Sequence, residues 1–343
     1  MKNPVFKPKQ TTKKLLAVLS ERAARVLVGR FGLGNESEKK TLESIGREYG
    51  ITRERVRQIE NFALSTIKKS SAYASEAPVF GELKDYFASL GGVLTEEDFL
   101  DAVSKDKSTQ NHAHFLLVIG GAFERNKEDE HFRLRWAVDK ATSEKVHKAL
   151  TALHGGLTAK DLISEREALD AFKKRLGTLA SAHDTNDVLH RWLRLSKIVG
   201  RNQLGEWGLA ASPNIKIRGI RDYAYLVIRR HGSPLHFAEV AKLITEVFGR
   251  PSHPATCHNE LIKDKERFVL VGRGLYGLAE WGYTDGVVKD VIVDILKKHG
   301  SLPREALLEK VLKERHVKEN TVLVNLQNKK FFKRSDDGAY SLA

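Results

Sequence analysis

Apolar residues recur at three- and four-residue spacing across Lys13–Phe31, where Leu16, Leu19, Ala23, Val26, Leu27 and Phe31 fall on one stripe. That pattern predicts one helix, with Ser20 and Glu21 as a capping signal and Gly32, Gly34 and Asn35 as its end. A short helix follows over TLESIGREYG, capped by Thr41 and turned inward through Leu42, Ile45 and Tyr49. Gly50 predicts a tight turn, and Thr52 caps a third helix running to about Lys69. In that helix Val56, Ile59, Ala63 and Ile67 share the core stripe. Arg53, Glu54, Arg57, Gln58 and Asn61 occupy the other side.

Beyond residue 75 the pattern repeats. Amphipathic helices break at Gly91, Gly155, Gly232 and Gly300, at intervals of 64, 77 and 68 residues. Each is followed by a capped apolar helix: LTEEDFLDAV, LTAKDLIS, PLHFAEVAKLI and LPREALLEKVL. Each segment closes in a hairpin pattern with an aromatic: FRLRWAV, GEWGLA, GLYGLA and GAYSLA. A unit of roughly 65–75 residues with three helices and then a hairpin predicts a winged helix. The expected fold class is therefore mainly α with short β-hairpins, a helix-turn-helix followed by tandem winged-helix modules. The expected boundaries are a basic N-terminal tail at 1–14, the helix-turn-helix at 15–70, and winged-helix units at 76–140, 141–212, 214–283 and 285–343. The small, polar stretch Ser70–Pro78 predicts a flexible joint.

Charge narrows the class of partner. The 343 residues carry a formal net charge of +14. Residues 1–70 hold 16 Lys+Arg against 7 Asp+Glu, and the rest holds 42 against 37. An excess concentrated in one fifth of the chain points to phosphate contacts there. Hydrophobic residues at 41% and charged residues at 30% exclude a disordered tail. No apolar run of membrane-spanning length occurs, and MKNPVFKPKQTTKK lacks a signal core. The expected location is cytoplasmic and nucleoid-associated, with no membrane partner. The single Cys257 excludes an internal disulfide framework.

Two short helices, a glycine turn and a helix with a basic, forked-donor face predict a helix-turn-helix that reads double-stranded DNA. Arg can fork onto guanine, Gln onto adenine, and Glu can accept from cytosine. LSERAARVLVGRFGLG and TLESIGREYGITRERVRQIENFALSTIKK resemble region 4 of the primary, sigma-70 type, sigma factors of bacterial RNA polymerase. The resemblance covers about Leu15–Ser70, and TRERVRQIE is its most specific stretch. It implies readout of a promoter −35-like element by Arg53, Glu54 and Gln58, with Arg55 and Arg57 on phosphates. It further implies docking on the β flap of core polymerase through Leu27 and Phe31. Val28-Gly29 departs from the family pattern, and a mid-helix glycine weakens a helix by about 1 kcal/mol.

Residues 214–283, through RFVLVGRGLYGLAEW, resemble the HARE-type winged helix that also forms the folded part of the RNA polymerase delta subunit. Tyr276 and Trp281 are expected to close that hairpin in the core. Lys263, Lys265, Arg267 and Arg273 are its candidate wing contacts to phosphates. The later array is nearly neutral on average, so the units at 76–140 and 141–212 read as spacers or protein-contact modules. Lys329, Lys330, Lys333 and Arg334 make a local basic hairpin in the last unit.

Other chemistry finds little support. His231, His236, His253, Cys257 and His258 lack the paired short spacing of a zinc site. No P-loop or dinucleotide fingerprint occurs, and Glu128-Asp129-Glu130 sits in a hydrophilic loop rather than a nuclease strand. No catalytic residue, metal or cofactor is expected. The resulting expectation is a sequence-directed DNA-binding transcription factor, an atypical sigma-like or accessory factor in initiation. No region-2-like aromatic helix pair is apparent, so it would not open promoters alone. The alternatives are a polymerase-interacting adaptor whose winged helices bind proteins, and the DNA-binding part of a restriction or modification system.

Overall fold

The structure, a computed structural model, describes residues 6–183, 185–283, 286–335 and 337–343. Residues 1–5 of the expected tail and residue 285, the first of the expected last unit, lie outside the described residues. The chain divides into two compact units, Met1–Ala211 and Ser212–Ala343.

The first unit opens with α1 (Pro8–Leu16), α2 (Glu21–Phe31), α3 (Leu42–Tyr49), α4 (Arg53–Lys68) and α5 (Ser71–Ser75). Two repeats follow. The first has α6 (Ala77–Ser89), β1 (Val93–Thr95), α7 (Glu96–Val103), α8 (Lys107–Ile119), β2 (Glu124–Asn126) and β3 (Arg135–Ala137). Its three strands pair in the order β1-β3-β2, all antiparallel. The second has α9 (Lys140–Gly155), α10 (Glu165–Leu176), α11 (Thr178–Ala182), α12 (Asn186–Arg194), β4 (Val199–Arg201) and β5 (Trp207–Leu209). There a single bridge, Ile163 to Trp207, stands where β1 pairs in its neighbour.

The second unit repeats the same order. α13 (Ile220–His231), β6 (Leu235–His236), α14 (Phe237–Phe248), α15 (Pro254–Lys263), β7 (Phe268–Gly272) and β8 (Leu275–Leu278) form a sheet ordered β6-β8-β7. α16 (Val288–His299), α17 (Arg304–Glu314), α18 (Glu319–Leu326), β9 (Phe332–Arg334) and β10 (Tyr340–Leu342) complete the chain, with a Leu302–Tyr340 bridge in the first-strand position. Each repeat is thus helix, extended segment, two or more helices and a hairpin whose last strand pairs back on the first.

The N-terminal expectations change in three places. The predicted helix Lys13–Phe31 is two helices, because Ser20 adopts an extended conformation and starts α2 afresh. Residues 8–14 of the predicted tail belong to α1, with Pro8 in the first turn and Thr11, Thr12 and Leu15 of that helix buried. Phe6 is buried as well, edge-on to Tyr86. The predicted joint Ser70–Pro78 is helical and tied down on both sides. The Tyr73 hydroxyl donates to the Ile119 carbonyl at 3.2 Å. Buried Glu76 accepts from Thr11 Oγ1 at 3.2 Å and Lys14 Nζ at 2.6 Å.

The reason is a shared core. Leu15, Leu27, Phe31, Ala63 and Ile67 belong to the same apolar cluster as Leu83, Phe87, Phe99, Phe115, Leu116 and Trp136. The helix-turn-helix and the repeat behind it therefore pack as one body, with α1 and α2 lying on α8. Along α8, Gln110, Asn111, His112, Ala113, Phe115, Leu116, Leu117 and Ile119 are all buried. No helix among the described residues is long and apolar enough to cross a membrane.

Candidate nucleic-acid interface

The interface is built on a small core. Val26 of α2, Ile45 of α3 and Val56 of α4 are buried together, with Leu42, Tyr49, Ile51 and Ile59 packed around them. Local chemistry sets the two helix starts. Thr41 accepts from the Ser44 N–H at 3.1 Å and Thr52 from the Arg55 N–H at 3.2 Å. Gly50, at φ +64°, turns the chain between them in the left-handed region. Gly46 lets the turn close, since a Cβ there would lie 2.6 Å from the Ile51 carbonyl oxygen. Arg30 adds a clamp, donating to Glu60 of α4 at 3.3 Å and to the Lys40 carbonyl at 2.8 Å.

With Val56, Ala63 and Ile67 turned inward, the other side of α4 faces solvent. Arg53, Glu54, Arg55, Arg57 and Gln58 are all exposed. They are partly paired among themselves. Arg57 forks onto Glu54, with Nε to Oε2 at 2.9 Å and Nη2 to Oε1 at 2.7 Å. That hydrogen bond holds the Glu54 carboxyl below its ordinary range and raises the Arg57 guanidinium. Arg55 Nη1 donates to Gln58 Oε1 at 3.1 Å. Both pairs are solvated and weakly held, so an incoming phosphate or base edge can replace the internal partner.

The sequence reading missed one exposed residue here. Phe62 lies one turn beyond Gln58 and is 69% exposed, the most exposed large apolar side chain among the described residues. Its signal was an aromatic interrupting an otherwise polar side, and apolar contact to a thymine methyl is a known use of such a residue.

The loop feeding α3 is fixed from behind by α8. Buried Asn111 donates to the Gly32 carbonyl at 3.0 Å and the Ser37 carbonyl at 2.8 Å. Lys39 Nζ meets His114 Nδ1 at 3.3 Å, and His114 Nε2 meets Glu96 Oε2 at 3.4 Å. The Trp136 indole N–H donates to the same Glu96 oxygen at 3.0 Å. Burial alone would raise the Glu96 carboxyl, but His114, Trp136 and Lys39 together bring it down to about 2.

The remaining expected contacts divide. Leu27 and Phe31, the flap residues implied by resemblance, are core: 0% and 6% exposed, with Phe31 edge-on to Phe115 at 5.2 Å. They are covered because α8 takes the apolar stripe of α2. In the second unit, Lys263, Lys265 and Arg273 are exposed, Arg273 in the β7–β8 turn and Lys263 beside Glu260 at 3.0 Å. Arg267 is not free for a phosphate: it pairs with Asp222 at 3.0 Å and Asp264 at 2.6 Å, largely buried. Tyr276 is core, whereas Trp281 is half-buried in a one-turn helix, edge-on to Tyr283. His236 and His253 cap α14 and α15, and burial pushes the Cys257 thiol up to about 12. No group of three or more metal-ligating side chains comes together among the described residues.

Comparison with known proteins decides what this interface resembles. Residues 15–69 match the family described as Sigma-70, region 4. The match ends within one residue of α4. A stretch of 53 residues is 53% identical to the RNA polymerase sigma factor RpoS of Coxiella burnetii, covering 16% of this chain and 15% of that protein. Over 55 residues, identity is 42% to the principal sigma factor HrdD of Streptomyces viridifaciens, 16% of each chain. Over 78 residues it is 40% to the sigma factor SigA of Clostridium acetobutylicum, 23% of this chain and 18% of that one. The chain thus spans under a fifth of these relatives' lengths. The matched stretch is the α2–α4 helix-turn-helix with the end of α1.

Proposed function

We propose that this chain is a DNA-binding factor of bacterial RNA polymerase that recognises a −35-like promoter element through α4 and acts in transcription initiation as an atypical or accessory sigma-like factor. One observation carries the reading: Arg53, Glu54, Arg55, Arg57 and Gln58 stand exposed on one side of a helix whose other side is locked into core. Arg53, Glu54 and Gln58 are assigned to base edges, and Arg55 and Arg57 to phosphates. The four repeats are read as winged helices on their element order, the one at 214–283 as HARE-like, with Lys263, Lys265 and Arg273 as its wing contacts. A cytoplasmic, nucleoid-associated location follows from that function.

Docking on core polymerase belongs to the same reading, but the burial of Leu27 and Phe31 excludes those two side chains as its surface while α8 stays in place. The test is selection of bound duplexes from a random pool by the full chain, with and without core polymerase. A −35-like consensus is expected in both arms and sharper with polymerase. Recovery of unrelated sequences in both arms would overturn the reading.

A further inference from the structure

Several cations of the second unit sit beside carboxylates, as Arg267 does with Asp222 and Asp264, and Lys263 with Glu260. The hairpin of the last repeat differs. Residues 327–335 read QNKKFFKRS, with four cations and no carboxylate. Lys329, Lys330, Lys333 and Arg334 are all exposed, and none forms an ion pair among the described residues. Among the described acids that border it, Asp337 accepts from the Ser335 hydroxyl and the Ala339 N–H.

An aromatic sits inside this patch. Phe332 is buried at 2%, but its neighbour Phe331 is 39% exposed. The Lys289 ammonium lies 4.3 Å from the Phe331 ring centroid and 3.6 Å from Asp290 Oδ1, so it borders the patch as an ion-paired cation and is not counted with the four. Arg334 lies over the Tyr340 ring at 5.9 Å. β9 pairs on one side only, with β10, so the strand carrying Lys333 and Arg334 is a sheet edge. Uncommitted cations around an exposed ring are what a flexible polyanion with flat faces requires: phosphates for the charges, a base for the ring. A duplex offers the phosphates but keeps its bases stacked, leaving Phe331 without a partner.

We propose that the β9 hairpin is a second nucleic-acid site that takes an unpaired strand, with Lys329, Lys330, Lys333 and Arg334 on the backbone and Phe331 under a base. The site shares no residue with α4, so it stands whether or not the promoter reading does.

The test uses the full-length chain and a fluorescein-labelled oligothymidylate of about 20 nucleotides, longer than a usual site, titrated at several salt concentrations. Replacing the four hairpin cations with alanine is expected to weaken binding and flatten the log K against log salt slope by about 2.8. Phe331→Ala is expected to cost about 5- to 150-fold in affinity with the slope unchanged. A labelled duplex of random sequence is expected to respond to the cation variant but not to Phe331→Ala. All five side chains are exposed, and unaltered thermal melting confirms that the variants fold. Wild-type oligothymidylate binding by the four-cation variant, or by Phe331→Ala, would overturn the proposal. So would an equal loss on duplex and single strand when Phe331 is removed.

Discussion

Arg55 donates to Gln58 at 3.1 Å in the free protein, yet the two are assigned different tasks, and substitution separates them. Gln58→Ala should relax base preference at one position by roughly 1–3 kcal/mol, leaving affinity for other sequences nearly unchanged. Arg55→Ala should weaken all sequences alike and lower the salt slope by about one. Competition binding against single-position variants of the selected site reads the first; a salt titration reads the second. Equal weakening of every duplex by Gln58→Ala would remove direct readout at that residue. At this scale the sequence was informative where the chemistry is local: Thr41, Gly50 and Thr52 act within three residues of themselves. It was not informative for Arg267: besides Asp264, three residues away, its guanidinium is held by Asp222, 45 residues away and beyond any local spacing, so a cation in the right place read as a wing contact.

Helices were legible as elements, but their partners were not. Apolar spacing runs on through Leu16 and Leu19, so nothing in the periodicity marks the break between α1 and α2. The stretch HAHFLLVI announces a buried helix without saying what buries it. The answer, α1 and α2, makes the support behind region 4 testable. Glu96 is held near 2 when folded, below its unfolded value, so its contribution is fully present above the ordinary carboxylate range and is lost as pH falls towards 2. Glu96→Gln should lower the thermal midpoint at neutral pH and flatten the acid limb of the stability curve over that window. An unchanged acid limb would show that the Lys39–His114–Glu96 chain does not hold region 4 in place.

For the whole molecule, two compact units predict two melting transitions. Phe115→Ala empties a fully buried site and should cost about 3–5 kcal/mol, moving one transition down by roughly 10 °C and leaving the other in place. DNA binding should fail at the temperature of the transition that moved, although Phe115 lies in α8 rather than in α4. A single transition that shifts as a whole would contradict the division. The repeat was visible from glycine and aromatic spacing alone, because each unit must stop a helix and close a hairpin. The fusion of its first copy with the helix-turn-helix was not, since a shared core is a matter of facing surfaces rather than of any one stretch.

That fusion limits how the protein can be rebuilt. Region 4 of a sigma factor, grafted in place of residues 15–69, inherits a seat cut for Leu27 and Phe31. Unless the graft brings side chains of similar bulk at those positions, Phe115 and Leu116 are left bare in water, and the chimera should clump before it can be assayed. The region-4-like segment of this chain is not a cassette.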